Sequence, residues 1–470
     1  MRWGTLLLLA GSLSAWAGEL PPEIAAVLAG HSIPDDSASI LVQAVGAETP
    51  LLALHPEASR NPASVMKLVT TWAALETLGP AYRWPTEVYF AGPFDGHTLD
   101  GDLAIKGYGD PFLVLEEFWK MLRAVRRIGL EHIQGDLVLD DTYFEVNEPD
   151  PAAFDGQPYR AYNVPPSALL VNFKAVQFQF YADPVGRRVR VALEPPLTNL
   201  EVRNGLKLAE GPCRGYQAGI AIDIADAAKA DRVVLSGAFP ARCNHYELAR
   251  TVLRHDTYTY GLFDALWKEL GGTLRGGLRK AKLPDDARPV LTWRSPALAD
   301  VIRRINKNSN NVMTRQLLYT LGAVQHGAPG TREKGVAAVR ELLASRGLDT
   351  SSLVMDNGAG LSRTERVSAR LLADLLLAAY ASPYAAEFVS SLSLGGLDGT
   401  TRARFDGHPE EGLMHVKTGR LDHVSAVAGY VRAASGTTYV TVVLLNAPDA
   451  HRGPGEELQH AVLHWVHERG

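Results

Sequence analysis

A serine and a lysine, Ser64 and Lys67, stand three residues apart where a turn-like stretch passes into an apolar run. Residues three apart on a helix are neighbours, so the hydroxyl and the amine can meet. A serine hydroxyl becomes a nucleophile when a base takes its proton, and lysine serves as that base when burial or nearby charge lowers its pKa. The pair suits covalent catalysis, although a helix-capping serine followed by a solvated lysine is the common alternative for so short a motif.

Two further stretches carry side chains that suit the same chemistry. Residues 309–311, which read SNN, fall between two helical runs, where side chains can point into a cleft. Residues 417–419, which read KTG, end a strand-like run, and the glycine would let a ligand backbone approach closely. Each also has an ordinary alternative, a polar turn that caps a helix for SNN and an exposed strand end for KTG.

The periodicity of the chain indicates which elements position these residues. Strand-like runs precede a helix that starts near Ser64, and β-patterned segments broken by turn residues then fill about residues 86–240. Helical periodicity returns afterwards, and the chain ends in a strand, a turn, a strand and a closing helix. This order predicts a discontinuous α/β domain built from both ends of the chain, with a β-rich insertion between them.

Composition limits the classes of function that the chain can serve. With 470 residues, of which 46% are hydrophobic and 21% charged, the chain is long enough for several globular domains. A net charge of −5 without a long basic block argues against nucleic acid as the main partner.

The first residues have the pattern of an export signal. Arg2 is followed by an apolar run that is too short to span a bilayer, and then by an A-x-A cleavage signal at residues 15–17. We therefore expect residues 1–17 to be a signal peptide. No later segment is apolar enough to be a membrane span, so we expect a soluble, exported protein without a transmembrane anchor.

Cys213 and Cys243 are the two cysteines of the chain, and both belong to the exported part. In an oxidising compartment such a pair is expected to form a disulfide. A zinc site is the weaker alternative, because the pair lacks CxxC spacing and His245 is only one of the ligands that a metal needs. The histidines show no HExxH pairing, and GYGDP at residues 107–111 lacks the lysine of a P-loop. We expect no metal and no cofactor.

In this order, S-x-x-K, S-x-N and K-T-G are the motif set of penicillin-binding proteins and class A β-lactamases. The chain resembles the low-molecular-mass class C penicillin-binding proteins, peptidase family S13. The resemblance extends to the stretches GYGDP, GDLVLDDTYF, YNVPPSALLVNFKAV, DNGAGLSRTERVS and SLGGLDGTTRARF. It implies a transpeptidase-like domain at residues 18–84 and 286–470. It also implies an insertion at residues 85–285 that forms two nested β-rich domains and contains both cysteines.

The resemblance implies a serine D-Ala-D-Ala carboxypeptidase and endopeptidase that β-lactams inhibit covalently. Its substrates would be peptidoglycan stem peptides ending in D-Ala-D-Ala and crosslinked muropeptides. Ser64 would attack the carbonyl between the two D-alanines and Lys67 would take its proton. Ser309 would relay a proton to the leaving nitrogen, and Asn311 would hold Lys67 and the substrate amide.

The resemblance also assigns the strand side of the site. Lys417 and Thr418 would bind the substrate's terminal carboxylate, and Gly419 would leave room for the substrate backbone. The backbone N–H groups of Ser64 and Arg420 would form the oxyanion hole. Many relatives carry threonine where this chain has Arg420, so the way in which the cleft receives the carboxylate is open.

Two other points stay open. Residues 154–163 lack the tryptophan- and acid-rich stretch of many relatives, which puts in doubt the family's contact to the third stem residue. Arg363 suits either a substrate contact or a structural ion pair. A β-lactamase and a catalytically weak wall-binding protein are the alternative functions. The usual E-x-x-L-N deacylation motif is absent, with EPPLTN at Glu194 a near miss. The expected location is the periplasm, soluble or loosely associated with the cell wall.

Overall fold

The computed structural model describes residues 20–147, 150–213, 219–225, 229–405 and 407–470. The predicted signal peptide, residues 1–17, lies outside the described residues. Within the part of the chain that is described, no helix has the length and apolar character needed to cross a bilayer.

The chain is organised as a first segment, a long middle segment and a last segment. The first segment contains α1 (Pro22–Gly30), β1 (Ala38–Ala44), β2 (Leu52–Leu54) and α2 (Met66–Leu78). The last segment contains α5 (Leu298–Asn308), α6 (Asn311–His326), α7 (Arg332–Ser345), α8 (Ala369–Ala381), α9 (Ala385–Ser391), β18 (Ser393–Leu394), β19 (Met414–Leu421), β20 (Val424–Arg432), β21 (Thr438–Asn446) and α10 (Pro454–Arg469).

The middle segment is mostly strand but also contains two helices. Its elements are β3 (Pro85–Ala91), β4 (Thr98–Leu99), β5 (Asp102–Gly107), α3 (Leu115–Arg127), β6 (His132–Ile133), β7 (Leu137–Asp140), β8 (Ala175–Asp183), β9 (Arg188–Glu194), β10 (Glu201–Asn204), β11 (Lys207–Ala209), β12 (Ile220–Ala225), β13 (Arg232–Pro240), β14 (His245–Thr251), α4 (His255–Glu269), β15 (Thr273–Leu274), β16 (Leu278–Lys280) and β17 (Leu291–Arg294).

The two ends of the chain meet in one antiparallel sheet of six strands in the order β18-β19-β20-β21-β1-β2. Successive side chains of a strand point to opposite faces, so a strand buried on both faces reads as a continuous apolar run. In β1, Leu41 packs on the face covered by α2 and α5–α9, whereas Ile40 and Val42 pack on the face covered by α1 and α10. The sheet is therefore a central layer between two layers of helices.

The middle segment forms two groups of sheets that share one hydrophobic core. The first group is the sheet β16-β7-β5-β3-β17 with the small sheet β15-β6-β4, and α3 and α4 contribute to its core. The second group comprises the sheet β14-β8-β9 and the strands β10 to β13. Because the chain leaves the first group after β7 and returns at α4, the second group is nested within it. We propose that these two groups are the two domains of the insertion and that the insertion extends to β17, since β17 pairs with β3.

The second group contains the disulfide bond. Cys213 and Cys243 are bonded in the structure, with their Cα atoms 5.1 Å apart. The bond joins the segment after β11 to the short turn before β14, and the Cys243 side chain is buried in the core of the insertion.

The middle segment packs on α6, the helix that begins at Asn311. Gln316 exchanges two hydrogen bonds with the backbone of Ser167, of 2.9 and 2.8 Å. One turn further along α6, the ring of Tyr319 lies 5.4 Å from that of Phe144. The insertion is therefore fixed against the same helix that supplies Asn311.

Candidate active site

Ser64 lies in a one-turn 3-10 helix, residues Ala63–Val65, that leads directly into α2. Asn61 anchors this turn, because its side chain accepts the Ala63 N–H at 2.9 Å and donates to the Ser362 carbonyl at 2.9 Å. Asn446, at the end of β21, binds both the N–H and the carbonyl of Asn61. The turn is therefore held from two distant parts of the chain, and the Ser64 side chain is half-buried at the start of a buried helix.

Lys67 lies one turn after Ser64, as the S-x-x-K spacing predicts. Its side chain is fully buried. Its Nζ lies 2.9 Å from Ser64 Oγ and 2.6 Å from Asn311 Oδ1, and it also donates to the Ala359 carbonyl. A neutral amine has two hydrogens and one lone pair. If the hydrogens bind Asn311 and Ala359, the lone pair faces the Ser64 hydroxyl, which is the arrangement that a general base needs.

The environment favours this neutral form. Burial lowers the pKa of Lys67 well below its ordinary value, and the nearby cations Lys417 and Arg315 lower it further, while Glu365 acts in the opposite direction. Burial also raises the pKa of Glu365 to about 7, so its opposing charge is weakened. Burial and the nearby cations therefore favour the neutral amine, which is the form that can act as a base.

Ser309 and Asn311 lie at the junction between α5 and α6, where one helix ends and the next begins. α5 ends at Asn308, and Ser309 has the left-handed conformation, with φ of 53°. Asn310 then caps α6, its side chain accepting the Met313 N–H at 3.0 Å. Asn311 is the first residue of α6, so its side chain reaches Lys67.

The KTG stretch lies within β19 and faces Ser309. Lys417 is buried and its Nζ donates to Ser309 Oγ at 2.9 Å and to the Thr418 carbonyl at 2.7 Å. Burial lowers the pKa of Lys417 to about 7. The Thr418 hydroxyl lies 2.7 Å from the Thr400 hydroxyl. The structure therefore joins Ser64, Lys67 and Asn311 into one hydrogen-bonded group and Ser309 and Lys417 into another beside it.

Gly419 lets β19 approach the Ser64 turn. A β-carbon at this position would lie 2.4 Å from the Pro62 carbonyl oxygen and 3.0 Å from the Ser64 nitrogen. Only glycine fits without displacing the turn. The close approach places the backbone of Gly419 beside the Ser64 N–H, and Arg420, whose N–H is expected to complete the oxyanion hole, is the next residue of β19.

Sequence reasoning missed Glu365. This buried carboxylate accepts the backbone N–H groups of residues 356–358 at 3.2, 3.0 and 2.7 Å, and so holds the loop that presents the Ala359 carbonyl to Lys67. The signal was an acidic residue after a glycine-rich turn, DNGAGLSRTER, which alone does not distinguish a buried acid from a solvated one.

Ser64, Ser309 and the KTG strand border an open cleft of about 350 Å³. Its lining is Ser64, Ser309, Thr400, Arg404, Thr418, Gly419, Arg420, Ser425, Glu456 and Gln459. The neighbouring strand β18 pairs with β19 at Val416 and His415, before the KTG stretch begins. The edge of β19 next to Ser64 can therefore receive an extended peptide as an additional strand.

Two other features bear on the sequence predictions. Arg363 forms an ion pair with Asp422 at 3.0 Å and lies over the ring of Phe154. The ligand atoms of His423, Asp449 and His451 lie within 4.8 Å of one another. However, both imidazole Nδ1 atoms accept backbone N–H groups, which leaves the hydrogen of each neutral ring on Nε2 and the lone pair already used. That tautomer does not suit a metal ligand.

The position of Lys417 predicts a pH effect. Acylation needs neutral Lys67, so its rate should fall as the pH drops through the pKa of Lys67. The charge of protonated Lys417 lowers the pKa of Lys67. We expect Lys417→Gln to raise the pKa of Lys67 and move the acid limb of the acylation profile to higher pH. The measurement is the rate of adduct formation with a fluorescent penicillin as a function of pH.

Lys282→Gln is the matched control, because Lys282 is exposed in the insertion and pairs with Asp285. Its profile should coincide with that of the wild type. An acid limb that stays in place in Lys417→Gln, or moves to lower pH, would contradict this account of Lys67.

Comparison with known proteins decides the family. The model of the D-Ala-D-Ala carboxypeptidase 3 (S13) family matches residues 20–467. The chain belongs to this family. The predicted membership and enzyme class, a serine-type D-Ala-D-Ala carboxypeptidase, are confirmed.

Relatives of this S13 chain span most of its length. A D-alanyl-D-alanine carboxypeptidase of Actinomadura sp. (strain R39) is 29% identical over 95% of this chain and 84% of its own length. The crystal structure of penicillin-binding protein 4 from Haemophilus influenzae superposes with a TM-score of 0.80 at 20% identity, over 95% of this chain and 99% of that one. A predatory peptidoglycan endopeptidase from Bdellovibrio bacteriovorus gives a TM-score of 0.53 at 14% identity, over 91% and 92% of the two chains. These structures confirm the predicted α/β fold with its penicillin-binding-protein-like domain and additional domains.

Proposed function

We propose that the protein is a serine DD-carboxypeptidase and DD-endopeptidase that acts on peptidoglycan through an acyl-enzyme at Ser64. One observation carries the proposal: the Nζ of a fully buried lysine lies 2.9 Å from a serine Oγ and is fixed by Asn311 and Ala359. A desolvated amine in this position can remove the hydroxyl proton at neutral pH.

The reaction then follows from the groups at the cleft. Ser64 Oγ gives its proton to Lys67 Nζ and bonds to the carbonyl carbon of the penultimate D-alanine. The oxyanion that develops accepts the N–H groups of Ser64 and Arg420. The carbon–nitrogen bond breaks as the proton taken by Lys67 is passed on to the leaving nitrogen through the Ser309 hydroxyl, which Lys417 holds. Water hydrolyses the ester in the reverse proton sequence and restores Ser64.

The substrates we propose are stem peptides ending in D-Ala-D-Ala and crosslinked muropeptides. Both present a D-alanyl carbonyl, so the same nucleophile and base serve both and only the leaving group differs. The open edge of β19 and the wide cleft suit a peptide with a large leaving group. Among the relatives, structures show the H. influenzae protein with a β-lactam and a B. bacteriovorus endopeptidase acylated by penicillin G. We propose β-lactams as covalent inhibitors of this chain as well.

The β-lactamase alternative requires rapid hydrolysis of the acyl-enzyme, for which a glutamate that activates the deacylating water is the usual device. The near-miss motif at Glu194 belongs to the end of β9 in the nested group of the insertion, and Glu194 is exposed there. It does not line the cleft that contains Ser64. This supports a peptidase over a β-lactamase.

We also propose that the protein acts after export to the periplasm, soluble or loosely associated with the cell wall. The A-x-A signal at residues 15–17 and the Cys213–Cys243 bond support an oxidising location.

Purified enzyme given a pentapeptide monomer and a crosslinked dimer should release free D-alanine from the first and separate the second into monomers. Chromatography of the products makes the measurement, and Ser64→Ala is the inactive control. An intact dimer beside a trimmed pentapeptide would restrict the function to carboxypeptidase. If neither substrate is cut while penicillin still forms an adduct, the peptidase proposal is wrong.

A further inference from the structure

Arg420 occupies a position on β19 from which its side chain can reach a bound substrate. Side chains alternate along a strand, so Thr418 and Arg420 share one face, while Lys417 points to the other face and towards Ser309. Arg420 is exposed and lines the cleft together with Thr418 and Ser64. The guanidinium therefore lies on the same side of the strand as the hydroxyl that is expected to bind the substrate carboxylate.

The charges around the cleft leave Arg420 without a counterion. Within the described lining, the acidic and basic side chains are those of Arg404, Arg420 and Glu456. Glu456 pairs with Arg404, with 3.0 Å between Oε1 and Nε, and Arg404 also donates to Gln459 at 3.0 Å. No carboxylate in the described part of the chain pairs with Arg420. Among the described residues that line the cleft, Arg420 is thus a solvated cation near Ser64 without a carboxylate partner.

Lys417 is poorly placed to bind the carboxylate of a ligand. Its amine is buried and already donates to Ser309 Oγ and the Thr418 carbonyl. Burial lowers the pKa of Lys417 to about 7, because desolvation disfavours its charged form. Arginine stays charged at every physiological pH, and its planar donors match a carboxylate in a bidentate pair.

We propose that the Arg420 side chain binds the free carboxylate on the leaving-group side of the scissile bond and selects substrates that carry it. The inference rests on the proposed function and deepens it. The preferred substrates are acyl-D-alanyl peptides in which the carbon bonded to the scissile nitrogen bears a free carboxylate. The terminal D-alanine of a stem peptide meets this condition. A crosslinked stem meets this condition only when the carbon bonded to its scissile nitrogen also bears a carboxyl group that is not amidated.

Two peptides test the selection: an acyl-D-Ala-D-Ala peptide and the same peptide with a C-terminal carboxamide. The enzymes are the wild type, Arg420→Met, which keeps the length of the side chain, and Arg420→Lys, which keeps its charge. We expect Arg420→Met to lower kcat/KM for the free acid by about 10- to 100-fold, the range of a hydrogen bond to a charged group. For the carboxamide, kcat/KM should stay within about threefold, because the backbone N–H at this position is retained.

Arg420→Lys should recover part of the activity on the free acid. Arg452→Met is the matched control, since Arg452 is exposed and pairs with Asp449 outside the cleft lining. Arg452→Met should leave kcat/KM unchanged for both peptides.

The outcomes separate the two proposals. An equal loss of kcat/KM on both substrates in Arg420→Met, or no loss on either, would overturn the carboxylate role of Arg420 while leaving the peptidase function in place. A wild-type enzyme that releases no amino acid from the free acid would overturn the proposed function and this inference with it.

Discussion

Ser64→Ala should abolish the penicillin adduct and lower D-alanine release by at least about 10⁴-fold, because the substitution removes only the nucleophilic oxygen. The Ser64 side chain is half-buried, and its hydroxyl is hydrogen-bonded to the amine of Lys67. Intact-mass measurement after incubation with penicillin detects the adduct, and chromatography measures D-alanine.

The fold should survive the change, since the hydrogen bonds by which Asn61 and Asn446 hold the turn do not involve the Ser64 hydroxyl. Ser59→Ala is the matched control, because Ser59 lies on the same segment and its hydroxyl donates to Ser352, away from the cleft. It should retain the adduct. D-alanine release by Ser64→Ala near the wild-type rate would remove Ser64 from the reaction.

Lys67→Arg should slow acylation by about 10³-fold, within the range attributed to a general base. Arginine keeps the donors for Asn311 and Ala359, but a guanidinium does not accept a proton at neutral pH and places a fixed positive charge where the site favours a neutral amine. The substitution therefore tests the basicity of the amine apart from its hydrogen-bond donors. The rate of reaction with a fluorescent penicillin makes the measurement.

The larger guanidinium enters a fully buried position, so thermal unfolding is measured in parallel and Lys67→Gln is used as the smaller replacement. Lys334→Arg on α7 is the control, since Lys334 lies outside the cleft lining and its amine donates to backbone carbonyls. If both variants at position 67 fold and acylate within about tenfold of the wild type, the base is another group.

The local part of the site could be predicted from the sequence. The spacing of Ser64 and Lys67 places them one turn apart on any helix, whatever packs around it. The break between two helical runs at residues 309–311 is likewise visible as a change in periodicity, and the structure ends α5 and starts α6 there. The strand, turn, strand and closing helix predicted at the end of the chain correspond to β20, β21 and α10. These features depend on neighbours within a few positions, which a single sequence displays.

Only the tertiary structure decided the chemistry of the lysine. Asn311 and Ala359, which bind its amine, lie 244 and 292 positions further along the chain. The pairing of β1 with β21 brings the two ends of the chain together and buries α2 between them and the helices of the last segment. A pKa depends on desolvation and on charges within a few ångströms, and residues distant in sequence supply both. For the same reason the sequence showed an arginine at position 420, but only the structure showed that Glu456 pairs with Arg404 and that Arg420 has no carboxylate partner among the described residues.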